Sequence, residues 1–128
     1  MRTIKFRGKQ ITWIYGGVTI FENEARIFDY NCMVNSSYEV NINSIGQFTG
    51  FFDKKGNEIY EGDICKYHRN TSKYLKSYHF EVKFKNGAFY AYWEREMMGK
   101  HEEHWDLLSQ KEFNYIRVVS NVYDEKNK

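Results

Sequence analysis

The dipeptide Asn86-Gly87 constrains this chain more than any other feature. It stands between two strand-like runs, residues 80–85 and 88–93. A two-residue type I′ turn needs positive φ at both central positions, and Asn-Gly accepts this at the least steric cost. Folding there sets Phe84 opposite Phe89, Val82 opposite Ala91 and Phe80 opposite Trp93, all on one buried face. Lys83 opposite Tyr90 and Glu81 opposite Tyr92 fall on the other face. A slip by one residue would reverse every side chain, so the register is tightly specified. If Phe84 is fully buried, Phe84→Ala should cost about 3–5 kcal/mol.

The rest of the chain is consistent with an all-β fold. Three Trp, eleven Tyr and ten Phe supply a core, and aromatic residues favour strands. At 128 residues the chain can bury roughly two-thirds of its unfolded surface. Extended text is read at residues 4–7, 11–15, 18–21, 25–34, 47–52, 58–60, 64–67 and 115–123, with Gly16-Gly17 as a turn or bulge. Asp53-Lys54-Lys55-Gly56 is a turn, with Gly56 free to take positive φ. Residues 68–77 read as an exposed basic loop. Residues 94–106 read as a charged loop or short helical turn, and residues 105–108 as an apolar segment docked on the core. Short strands separated by turns suggest a small barrel or sandwich.

Net charge is +2, which argues against a purely electrostatic nucleic-acid binder. The charge is uneven, with six Lys or Arg against one Glu in residues 66–85. There, Arg69, Lys73, Lys76, Lys83 and Lys85 interleave with Tyr74 and Tyr78, a pattern that could contact phosphate and stack bases. Cys32 and Cys65 allow a disulfide, but each suits a small buried apolar role better. With no apolar leader and no membrane-length span, the expectation is a soluble cytoplasmic protein with no membrane contact.

Other motifs carry weaker chemistry. Glu61 and Asp63 flank Gly62 and could serve as general acid and base or hold a hard cation; a turn feeding a strand explains them more simply. His101 and His104 would share a helix face and could grip zinc, yet no third ligand lies nearby. There is no nucleophile elbow and no phosphate-binding glycine loop, so no catalytic residue and no cofactor are assigned. Tyr90 and Tyr92, on the outer face of the hairpin, suit a protein interface, because Tyr offers contact area at low entropic cost.

The segments Ile4-Lys5-Phe6-Arg7, Ile45-Gly46-Gln47-Phe48-Thr49-Gly50, Asp53-Lys54-Lys55-Gly56, Glu58-Ile59-Tyr60-Glu61-Gly62-Asp63-Ile64 and Val118-Val119-Ser120-Asn121-Val122-Tyr123 together resemble the YopX-like family of small phage and prophage proteins. The resemblance spans most of the chain, in order, and is densest over residues 45–65. It implies a C-terminal SH3-type β-barrel with N-terminal strands packed on it, and a bacterial cytoplasmic setting. It implies no activity and carries over no functional residue. Where that pattern often has Asn-Pro after the final Tyr, this chain has Asp124-Glu125.

The resulting expectation is an N-terminal β extension over residues 1–44, an SH3-like barrel over 45–124 and a frayed tail over 125–128. The barrel core would hold Phe48, Ile64, Phe80, Val82, Phe84, Phe89, Trp93 and Val118. The leading function is a non-enzymatic interaction module that binds a protein or self-associates. Nucleic-acid binding through residues 66–85 is the alternative, and a metal-assisted enzyme a distant third.

Overall fold

The computed structural model describes residues 3–29, 36–73 and 75–127. The chain divides into two compact units, Met1–Gly50 and Phe51–Lys128. Cys32 and Tyr74, and the second half of the strand expected over residues 25–34, lie outside the described residues.

The first unit holds β1 (Phe6–Lys9), β2 (Trp13–Phe21), β3 (Glu24–Asp29), β4 (Ser37–Val40) and most of β5 (Gly46–Phe52). These pair antiparallel in the order β4-β3-β2-β1-β5. Ala25, Ile27 and Val40 form its core, with Phe6, Ile14, Val18 and Ile45 packed around them. Gly16-Gly17 is not a turn: β2 passes through it unbroken, with Gly16 paired to Phe6 on one side and Asp29 on the other. Glycine inside a strand often marks a place where another backbone comes close. A β-carbon on Gly16 would sit 1.7 Å from the Phe28 carbonyl oxygen.

The second unit holds β6 (Glu58–Tyr60), β7 (Asp63–Asn70), β8 (Leu75–Lys85), β9 (Ala88–Met97), β10 (Lys100–Leu107) and β11 (Ile116–Asn121). A 3-10 turn spans Gln110–Tyr115, and α1 spans Val122–Lys126. The last five strands make an antiparallel sheet in the order β10-β9-β8-β7-β11. One face of it buries Cys65, Tyr67, Phe80, Val82, Phe89, Ala91 and Ile116, together with Ile59 and Leu108. The protein is thus all-β with two antiparallel sheets. No closed barrel is found among the described residues, and β10 and β11 are the edges of their sheet. No helix among the described residues is long and apolar enough to cross a membrane.

The β8–β9 hairpin has the register read from the sequence: Phe84 opposite Phe89, Val82 opposite Ala91, Lys83 opposite Tyr90. Asn86 and Gly87 take φ of 51° and 82°. Phe80, Val82 and Phe89 are buried in this unit, while Trp93 and Val118 pack against its core partly covered. Phe48 is buried but belongs to the first unit, and Ile64 is only half-buried. Phe84 departs from expectation, being 46% exposed. It is on the correct face, its ring 4.9 Å from that of Phe89, but it sits next to the turn where no further strand covers it. Phe84→Ala should therefore cost only about 1–2 kcal/mol, against ~3–5 for Phe89→Ala, as read from urea denaturation midpoints.

Three segments taken for loop or tail carry regular structure over most of their described residues. Residues 94–106 are the outer part of β9, a turn at Met98-Gly99 and most of β10. Met98 takes φ of 54°, a left-handed turn position that Asn or Gly would signal in the sequence and Met does not. Polar cross-strand pairs line this hairpin: Arg95 faces Glu102 with a 2.7 Å ion pair, His101 bonds the facing Glu96 at 3.0 Å, and Glu94 faces Glu103. Residues 68–70 and 75–77 extend β7 and β8 and are not loop. Beyond β11 the chain makes one helical turn, whose start is capped by the Asn121 side-chain Oδ1 accepting from the Asp124 amide at 2.8 Å.

Candidate functional site

Strand alternation sorts the side chains of β8, β9 and β10 onto two faces. The face away from the core carries Lys83 and Lys85 from β8, Tyr90 and Tyr92 from β9, and Trp105 and Leu107 from β10. The register sets Lys83 beside Tyr90, Tyr90 beside Leu107 and Tyr92 beside Trp105. The Trp105 ring lies 4.6 Å from Tyr92 and meets Tyr90 edge-on at 6.0 Å. The Lys83 ammonium sits 4.0 Å over Tyr92, and that of Lys85 4.5 Å over Trp105. Such contacts hold a cation against a ring while leaving it hydrated on its outer side. Trp105 had been expected to dock on the core. It instead centres this outer patch at 36% exposure, and only Leu108 of that segment is buried. The missing signal was the Met98-Gly99 turn, which decides the parity of β10.

Further along the same face the charge reverses. Glu94 and Glu96 of β9 stand beside Glu103 and His101 of β10. The single Tyr92 hydroxyl proton is shared between Glu94 and, at 3.1 Å, Glu103. The bond to Glu94, with a smaller part from burial and from Glu103, pushes the Tyr92 phenol well above its usual range. The face is therefore a strip with lysines at one end, aromatic rings in the middle and carboxylates at the other.

The residues singled out in the basic segment do not share a surface. Arg69, Lys76 and Tyr78 point to the core side of the sheet, whereas Lys83 and Lys85 point outward. The Arg69 guanidinium stacks 4.8 Å from the Tyr115 ring, and the Lys76 ammonium lies 5.5 Å from Tyr78. Tyr78 is half-buried between Tyr67 and Trp93, and burial, then the Asp106, Tyr67 and Glu112 charges, push its phenol up to about 12. Lys73 is exposed next to the undescribed Tyr74.

A spacing of three means opposite faces on a strand, so His101 and His104 separate. His101 is with Glu94 and Glu96, while His104 stacks on Trp93 at 4.0 Å and bonds Glu102 at 3.3 Å. One ligand atom each from Glu94, His101 and Glu103 lies within 4.8 Å of the others, so among the described residues this exposed trio is the set that could hold a divalent cation. Asp63 is buried and accepts the Tyr60 amide at 2.7 Å, closing the turn at Gly62, whose φ is 91°. Glu61 is half-buried beside it.

This two-sheet β protein, with a polarised aromatic strip on its second unit, can be placed by comparison. A family model described as YopX protein matches residues 5–127, and the chain belongs to that family. No curated protein matches it.

Proposed function

We propose that this chain is a non-enzymatic interaction module that self-associates through the outer face of β8, β9 and β10. The observation that carries the reading is the polarity of that face: Lys83 and Lys85, then Tyr90, Tyr92 and Trp105, then Glu94 and Glu103. Such a strip is complementary to itself. A second copy turned face to face about a twofold axis that lies in the interface plane and crosses the strip sets the lysine end of each protomer against the carboxylate end of the other, with the rings packed between. Aromatic residues anchor interfaces, and complementary charge at their rim fixes register. The lysines already cover ring faces and the carboxylates repel phosphate, which disfavours nucleic acid on this surface. We infer as well a phage or prophage origin and a bacterial cytoplasmic setting, which the resemblance of the sequence motifs to the YopX-like family implies.

Analytical ultracentrifugation tests this. The chain should sediment as a concentration-dependent dimer that weakens with salt. The Lys83→Glu/Lys85→Glu variant and the Glu94→Lys/Glu103→Lys variant should each lose about tenfold or more in dimer affinity, and mixing the two should restore it. A strict monomer at the highest soluble concentration, or no recovery on mixing, would sink the reading.

A further inference from the structure

A second feature lies elsewhere on the second unit. An open cavity of about 210 Å³ is lined by Lys54, Lys66, His68, Tyr115 and Arg117. Lys66 and Arg117 are register partners on β7 and β11, so the sheet sets two cations side by side. His68 follows Lys66 by two positions and shares its face. Lys54 is brought to the same place because its amide donates to the Ile116 carbonyl at 3.0 Å. The turn behind Lys54 is held in turn by the buried Asp53 carboxylate, which accepts the Val118 amide at 3.0 Å.

Among the described residues, no acid lines this cavity. Asp53 is turned inward to the amides of Lys55, Asn57 and Val118. The carboxylate of Glu112, from the turn that leads to Tyr115, accepts the Tyr67 hydroxyl at 2.9 Å. Among the described residues, none of Lys54, Lys66, His68 and Arg117 has a carboxylate within ion-pair distance. Like charges on adjacent strands are destabilising. A surface adds cations without counter-charges at a cost that a bound anion would remove. A planar guanidinium beside two ammonium groups matches a phosphate oxyanion, because Arg donates a fork of N–H bonds and Lys a point charge. The volume is below the ~300–1,000 Å³ typical of pockets that enclose a whole drug-sized ligand, which suits one small polar group.

We propose that this cavity binds a phosphate group, held by Arg117, Lys66 and Lys54. The group can come from a free phosphate or nucleotide, or from a nucleic-acid backbone, and the test separates these sources. Amide resonances of the full chain are followed by NMR at low salt during titration with inorganic phosphate, a nucleoside monophosphate and a short single-stranded oligonucleotide. Saturable shifts confined to Lys54, Lys66, His68 and Arg117 are expected. Binding of the two small ligands identifies a free source, and binding of the oligonucleotide alone identifies a backbone source. Lys66→Gln/Arg117→Gln should lower affinity about tenfold or more, with Lys54→Gln, on an exposed turn, as a milder second variant. Removing the like-charge pair should leave the melting temperature unchanged or higher, which loss of a structural contact would not do. Lys83→Glu/Lys85→Glu should not alter phosphate binding, so this result stands apart from the test of self-association. No saturable shift with any of the three probes, or equal binding by Lys66→Gln/Arg117→Gln, would overturn the proposal.

Discussion

Asp53→Ala is expected to destabilise the second unit by about 3–5 kcal/mol, measured by urea denaturation near neutral pH. The carboxylate is 1% exposed and accepts bonds from four groups. Its Oδ1 takes the amides of Lys55 and Asn57, each at 2.9 Å, and its Oδ2 takes the Val118 amide at 3.0 Å and the Asn57 side-chain amide at 3.3 Å. Alanine would leave backbone N–H groups with nothing to donate to, in a space too small for them to be rehydrated freely. The loss is also topological, because one carboxylate ties the turn after β5 to β11, near the far end of the unit's sequence. Asp53→Asn keeps the shape and one carbonyl acceptor and should cost less.

The same site gives a pH dependence whose direction is fixed. Burial raises the Asp53 pKa, but the bonds from Val118, Asn57 and Lys55 outweigh it and hold the group below the ordinary value of 3.8. The folded state therefore favours the charged form more than the unfolded state does. Its contribution is complete above about pH 4–5 and is lost as pH falls through the depressed folded value. Asp53→Asn should flatten the acid limb of the stability profile. If the variant and the parent lose stability in parallel below pH 4, the ionised carboxylate is not the anchor described.

The parts of this fold that were legible in the sequence are those set by local chemistry. Asn86-Gly87 named a turn type, the turn type named a register, and the register separated Phe89 from Tyr90 correctly. Depth was not legible. Phe84 shares a face with Phe89, and only the position of neighbouring strands says which of the two is covered. The charged hairpin of β9 and β10 was missed because its turn is Met98-Gly99 and because its strands pair charged and polar side chains, not an alternating apolar pattern. That miss carried through to the candidate site. Without β10, Tyr90 and Tyr92 lacked the Trp105 ring between them, Lys83 and Lys85 were grouped with the basic segment 66–85 although Lys83 stands opposite Tyr90, and Trp105 was sent to the core. The phosphate cavity was beyond reach for another reason. Lys54, Lys66 and Arg117 are scattered along the chain and meet only through the pairing of β7 with β11 and the reach of Asp53 across to Val118.

Gly16→Ala should be as damaging to the first unit as Asp53→Ala is to the second. The residue lies in the middle of β2, with β1 on one side and β3 on the other. The atom a methyl group would strike, 1.7 Å away, is the backbone carbonyl oxygen of Phe28, and the next is that residue's carbonyl carbon at 2.7 Å. A flexible side chain could rotate out of the way; a carbonyl paired in a sheet cannot move without opening the ladder. The cost should therefore exceed the ~1–3 kcal/mol of ordinary overpacking, and amide protection should fall first along β2 and β3. Gly87→Ala is the informative comparison. That glycine has φ of 82° but nothing within 4 Å of its would-be β-carbon, so the substitution meets only the conformational penalty, about 1 kcal/mol. A Gly16→Ala protein as stable as Gly87→Ala would mean that β2 and β3 do not approach as closely as described. The difference between the two glycines lies in what faces them. One bends the chain in open solvent, whereas the other lets two backbones come together where no side chain fits.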